Sequence, residues 1–128
     1  MRIVLTAIGK RVQLINHLKK LNFVVGVDSS ELVPAKYFVD AFYKVPQFVE
    51  KEYISSLIRI CKDEKIDMLI PLYEKEFLIL DEHRDEFKTI GTMLMLSSKN
   101  FLEVCNDKWN TYKFFKSFEV NTPKTALM

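Results

Sequence analysis

What this sequence lacks excludes several kinds of chemistry. It contains no CxxC, no HExxH and no Cys/His cluster, and its histidines, His17 and His83, stand apart. No structural metal site is expected from such a set. Cysteine is limited to Cys61 and Cys105, each inside a helical pattern. Free buried thiols in a reducing cytoplasm are the expected state, with a disulfide between them as the alternative. The chain opens directly on a strand pattern, without a basic region, an apolar run and a small-residue cleavage site, so neither a signal peptide nor a transmembrane span is expected. An excess charge of one sign is also missing. Nineteen Lys and Arg against seventeen Asp and Glu leave a formal net charge of +2, too little to point to nucleic acid or a membrane surface.

What is present suits one globular domain. The chain has 128 residues, too few for two domains of ordinary size. Apolar residues at 48% are enough for a core, and 28% charged residues of both signs argue against disorder. Strand patterns fall over residues 2–6 (RIVLT), 23–27 (FVVGV), 41–45, 67–72 (DMLIPL) and 92–96 (TMLML). Helical spacing begins at Val12 with Ile15 and Leu18, and Asn22 supplies an exit. A short helix is expected over 32–38. Ile54, Leu57, Ile58 and Cys61 mark an amphipathic helix. Phe77, Leu80, Arg84 and Phe87 predict one continuous helix that Gly91 stops. Two more helices are expected over 98–105, capped by Ser97 or Ser98, and 108–118. Trp109, Tyr112 and Phe115 should form a buried face on the last.

Strands alternating with helices predict an α/β fold, a Rossmann-like three-layer sandwich with a mostly parallel sheet of about five strands. Ligands of such sheets gather at the carboxyl ends of the strands. That rule selects three loops: Thr6–Arg11, Asp28–Ser30 and Leu72–Lys75. The first, TAIGKR, leads into a helix N-terminus as a phosphate-binding turn does, with Lys10 and Arg11 adding charge. The dinucleotide pattern G-x-G-x-x-G meets Ala7, Gly9 and Val12, one glycine of three. Gly9 is equally a residue for a tight turn. Asp28 occupies the place of a ribose-binding carboxylate, and Asp-Ser-Ser is equally a turn or cap. Glu74 projects at the same sheet edge, where a lone glutamate at a helix start is more often a favourable partner of the helix dipole than a catalytic base. No catalytic residue set can be assembled from these motifs.

The opening RIVLTAIGKRVQLI, then VVGVDSS, AKYFVDAFYKVP, IDMLIPLYEKE and finally CNDKWNTYKFFKSFEVNTPKT run in an order that covers essentially the whole chain. Together they resemble the N-terminal, pre-ATP-grasp domain of a carbamoyl-phosphate-synthase-like ATP-grasp protein. The resemblance implies a domain over 1–105 and a helix with an extended segment over 106–128 leading toward an ATP-grasp domain. It implies an ATP-dependent carboxylate–amine or carboxylate–ammonia ligase, with ATP and Mg2+ as cofactors of the complete enzyme and neither bound tightly by this chain alone. Lys108 matches the family position from which a basic residue reaches the nucleotide. Gly9, Arg11, Asp28 and Glu74 map to substrate-side loops. The implied partners are the ATP-grasp domain, a small-molecule carboxylate and a second copy in a homodimer, in the cytoplasm. The glycine-rich lid, phosphate-binding lysine and magnesium-binding acids of an ATP-grasp domain are not in these residues, so the chain alone is expected to be inactive. Two rival readings are an NAD- or nucleotide-binding Rossmann module and a non-enzymatic interaction domain using the aromatic terminal helix.

Overall fold

The structure, a computed structural model, describes residues 1–126. It divides into two compact units, residues 1–96 and the residues from Ser97 onward.

The first unit is built on β1 (Arg2–Leu5), β2 (Phe23–Asp28), β3 (Ala41–Lys44), β4 (Met68–Ile70) and β5 (Met93–Leu94). They form one sheet in the order β3-β2-β1-β4-β5, and every pairing is parallel. Strand order therefore reverses at β1, where β2 lies on one side and β4 on the other. In register, Val4 faces Val25 and Leu69. Residues 3–5 of β1 and 24–27 of β2 are buried on both faces, as their apolar runs predict.

Alternation along the strands separates two cores. Ile3 and Leu5 pack with Ile15 of α1 (Val12–Leu18) on one face. Val4, Val25, Val27 and Leu69 meet Leu57 and Ile60 of α2 (Glu52–Asp63) on the other. Helix α1 ends at Leu18, earlier than the exit expected at Asn22, and the Asn22 side-chain amide donates back to the Leu18 carbonyl at 2.9 Å. Gly26 lies where two segments approach closely: a Cβ there would stand 2.8 Å from both Ile8 Cδ1 and Val39 Cγ1. Strand β4 stops at Ile70 because Pro71 has no N–H to continue the ladder.

Several elements differ from the sequence expectation. The helix predicted over 77–87 is two, α3 (Phe77–Glu82) and α4 (Arg84–Thr89), divided at His83. The His83 amide bonds back to Leu80, while the His83 carbonyl accepts from Glu86 and Phe87 and restarts the helix. Leu80 and Phe87 still reach the core, whereas Arg84 turns to Asp81 at 2.9 Å. The short helix over 32–38 is a 3-10 turn, Pro34–Tyr37. Strand β5 is two residues long, because after Met95 the chain turns out of the sheet.

The second unit holds α5 (Lys99–Cys105) and α6 (Lys108–Ser117). Asp107 caps α6, accepting from the Asn110 amide at 2.7 Å. Ser98 precedes α5 without a side-chain capping bond. The expected buried aromatic face is only half-buried, and α6 has no fully buried residue. Its aromatics pack on one another instead: Trp109 stacks on Tyr112 at 5.3 Å, and Phe114 meets Phe118 at 4.9 Å. Residues 120–126 carry no regular secondary structure. The end of the expected terminal segment, residues 127–128, lies outside the described residues.

Both cysteines are free, but only Cys61 is buried; Cys105 is exposed, against expectation, because it closes a short helix facing solvent. Among the described residues, no helix is long and apolar enough to cross a membrane.

Candidate functional site

The chain leaves β1 through Thr6, a fully buried residue whose hydroxyl needs a partner. It donates to Glu76 Oε1 at 2.6 Å and accepts from the Leu72 amide at 3.4 Å. Tyr53, in the first turn of α2, donates its phenol to Glu76 Oε2. Glu76 belongs to a 3-10 turn, Glu74–Glu76, that follows β4. Its side chain is 2% exposed, with one donor on each carboxyl oxygen.

Burial holds the Glu76 carboxyl above the usual carboxylate range, although the bonds from Thr6 and Tyr53 oppose the shift. The negative charge of Asp28 pushes in the same direction as burial. Burial and the Glu76 charge likewise raise the Tyr53 phenol.

Asp28 ends β2 and ties the first two loops together. Its Oδ2 accepts from the Gly9 amide at 3.0 Å, and its Oδ1 from the Ser30 amide at 3.0 Å. Gly9 adopts φ +46°, which explains a glycine in this turn. Beside these groups opens a cleft of about 340 Å³ at the carboxyl edge of the sheet. Asp28, Glu76, Tyr53 and Gln47 supply polar groups to it. Phe48 and Tyr73 form an aromatic wall, edge to face at 5.6 Å and 78°.

The structure brings Gly9 and Asp28 into contact, and only Asp28 of that pair lines the cleft. Arg11 extends from the first loop to the third, where its guanidinium donates to the Leu72 carbonyl at 3.1 Å, outside the cleft lining. Glu74 is exposed at the start of its turn and does not line the cleft. Lys108 is exposed at the first position of α6, in the second unit.

The sequence reading passed over Glu76 and Tyr53, and took in Thr6 only as the first residue of a loop. The signal available was a charge at the mouth of the apolar run FLIL, and a tyrosine adjoining Ile54 on the apolar face of α2.

Four amides of the first loop are already engaged. The Gly9 amide is taken by the Asp28 carboxylate, the Ile8 amide by the Val27 carbonyl, and those of Arg11 and Val12 by carbonyls of the loop itself. The amides of Ile8, Gly9, Arg11 and Val12 are therefore not free for a phosphate. An anion arriving there would displace internal bonds and face a carboxylate. Among the described residues, no group of three or more His, Cys, Asp or Glu is placed to hold a metal ion.

No curated protein matches the chain in sequence. Solved structures share its fold. Glycinamide-RNase-transformylase T from Mycobacterium tuberculosis superposes with a TM-score of 0.69 at 18% identity, over 92% of this chain and 35% of that one. N5-carboxyaminoimidazole ribonucleotide synthetase from Thermotoga maritima gives 0.68 at 20% identity, over 96% and 32%. The biotin carboxylase domain dimer of Hydrogenobacter thermophilus 2-oxoglutarate carboxylase, solved with MgADP, ADP and bicarbonate, gives 0.64 at 16%, over 94% and 28%. The chain spans about a third of the length of each of these proteins. The family model described as PylC-like, N-terminal domain matches residues 3–95, a span that contains the whole cleft and all of the sheet except Arg2. The chain belongs to this PylC-like N-terminal family, the pre-ATP-grasp domain that its sequence resembles.

Proposed function

We propose that this chain is the substrate-side domain of an ATP-dependent carboxylate–amine or carboxylate–ammonia ligase, inactive without an ATP-grasp domain. The cleft at the strand-order reversal carries this reading, since it is where a sheet of this kind presents ligand-binding loops. Membership of the PylC-like N-terminal family supports it, as does a fold shared with a synthetase and a biotin carboxylase. The first unit contributes the substrate wall. ATP and Mg2+ are held by the domain that partners it, in the same chain or another. Lys108, exposed at the start of α6, is the residue of this chain that reaches toward the nucleotide. Gly9 and Arg11 act by fixing the loops around the cleft, the first through Asp28 and the second through Leu72. Glu74 remains a candidate contact from the third loop. The complete enzyme works in the cytoplasm, and a homodimer is part of the proposal, on the precedent of the Hydrogenobacter domain dimer.

A dinucleotide module makes the opposite demand on the first loop, because its pyrophosphate needs the amides that Asp28 and the local carbonyls occupy. Calorimetric titration of the chain with NAD(H) separates the two readings. No micromolar binding is expected, and a saturating micromolar isotherm would replace the ligase reading with the dinucleotide one.

A further inference from the structure

We propose that the cleft beside Asp28 receives the ammonium group of the amine co-substrate, so that this domain holds the amine partner of the ligation in its protonated form, which releases one proton to water before its lone pair attacks, and not the carboxylate. The inference rests on the ligase reading above and assigns the chemistry of that same cleft.

Among the described residues, the lining contains two acids, Asp28 and Glu76, and no lysine, arginine or histidine. A carboxylate entering would meet Asp28 without a basic partner, and removing it from water would go uncompensated. Arg11, the basic side chain that bridges the first and third loops, is tied to the Leu72 carbonyl and is not part of the lining.

An ammonium finds what it needs. Asp28 uses one lone pair of each oxygen on Gly9 and Ser30, and an ionised carboxylate has about four acceptor sites, so capacity remains. The loops that Asp28 joins hold it in place, so it loses little freedom when it binds. Phe48 and Tyr73 add aromatic surface to the same cleft, and aromatic faces attract cations. A cation also offsets the cost of ionising Glu76 deeper in the site, which its burial otherwise opposes. Aliphatic stems of an amine are accommodated by Val45 and Pro46 on the apolar side of the lining.

The test is a charge series on the unaltered chain, read by amide chemical shifts. n-Butylammonium, butyramide and butyrate have similar size and differ in charge. The proposal expects saturable shifts at Gly9, Ser29 and Tyr73 with n-butylammonium, at least tenfold weaker binding of butyramide, and no saturation with butyrate. Asp28→Asn, which keeps an acceptor for the Gly9 amide, should weaken n-butylammonium at least tenfold. If that variant does not fold, the charge series decides alone. Butyrate binding as well as n-butylammonium would overturn the proposal, and so would n-butylammonium shifts that are absent or lie away from the cleft. A butyrate preference would leave the ligase reading intact. Failure of ATP chemistry after joining to an ATP-grasp domain would remove that reading without changing the titration.

Discussion

Thr6 and Glu76 are joined by a buried 2.6 Å hydrogen bond between the end of β1 and the turn after β4. This bond and the Tyr53 phenol fix the floor of the cleft from three elements distant in sequence. Thr6→Val keeps the shape but removes the hydroxyl, leaving Glu76 Oε1 and the Leu72 amide without it. Unpaired buried polar groups cost about 1–3 kcal/mol. Urea denaturation should register a loss of that size, and an unchanged midpoint would show that the bond adds nothing.

Glu76 also predicts a dependence of stability on pH. Its folded pKa is raised from the ordinary 4.5, so the folded protein holds this proton more tightly than the unfolded chain. The stability it contributes is fully present below the unfolded value and is lost as pH rises through the folded one. Glu76→Gln stays neutral throughout. The unfolding free energy of the unaltered protein should fall relative to Glu76→Gln as pH rises above about 4.5. A difference that stays flat from acid to neutral pH would contradict the assigned shift.

Gly26 is the position where the sheet admits no side chain. A methyl group would press at 2.8 Å on Ile8 Cδ1 and on Val39, whose β-branched side chain moves little. Overpacking of this kind costs about 1–3 kcal/mol, and thermal unfolding of Gly26→Ala should show it. A midpoint equal to that of the unaltered protein would mean that the two side chains yield freely.

The cysteines should separate by reactivity. Burial pushes the Cys61 thiol up to about 12, which suppresses the thiolate at neutral pH. Cys105 is exposed. Iodoacetamide at pH 8 should label Cys105 within minutes and Cys61 only in denaturant, as read by peptide mass. Equal labelling of both in the native protein would contradict the burial of Cys61.

Much of this architecture is legible in the sequence because it rests on apolar periodicity. Residues 3–5 and 24–27 are buried on both faces, and Ile54, Leu57 and Cys61 face the core as their spacing requires. The break at His83 is not legible, since Phe77, Leu80, Arg84 and Phe87 keep a helical spacing across it. Only the folded chain shows that the Arg84 side chain pairs with Asp81 while the backbone restarts the helix at His83. At the site, Asp28 and Gly9 stand out by their place after strands, and their mutual bond fits that logic. Glu76 was hidden by its neighbour Glu74. Two acids on a turn look alike in sequence, and the packing of Thr6 and Tyr53 decides which one turns inward. The aromatics of α6 have helical spacing but too little partner surface to be fully covered, so spacing alone overstated their burial.

The central claim is that this chain supplies a substrate wall and leaves ATP chemistry to a partner domain. Steady-state ADP release in the presence of ATP and Mg2+, measured on the purified chain and on the chain joined through residues 120–126 to an ATP-grasp domain of its family, tests it most directly. The account predicts no Mg2+-dependent ADP release from the chain alone, and turnover in the joined protein that falls at least tenfold with Asp28→Asn. Magnesium-dependent ADP production by the chain alone, or a joined protein indifferent to Asp28, would contradict it.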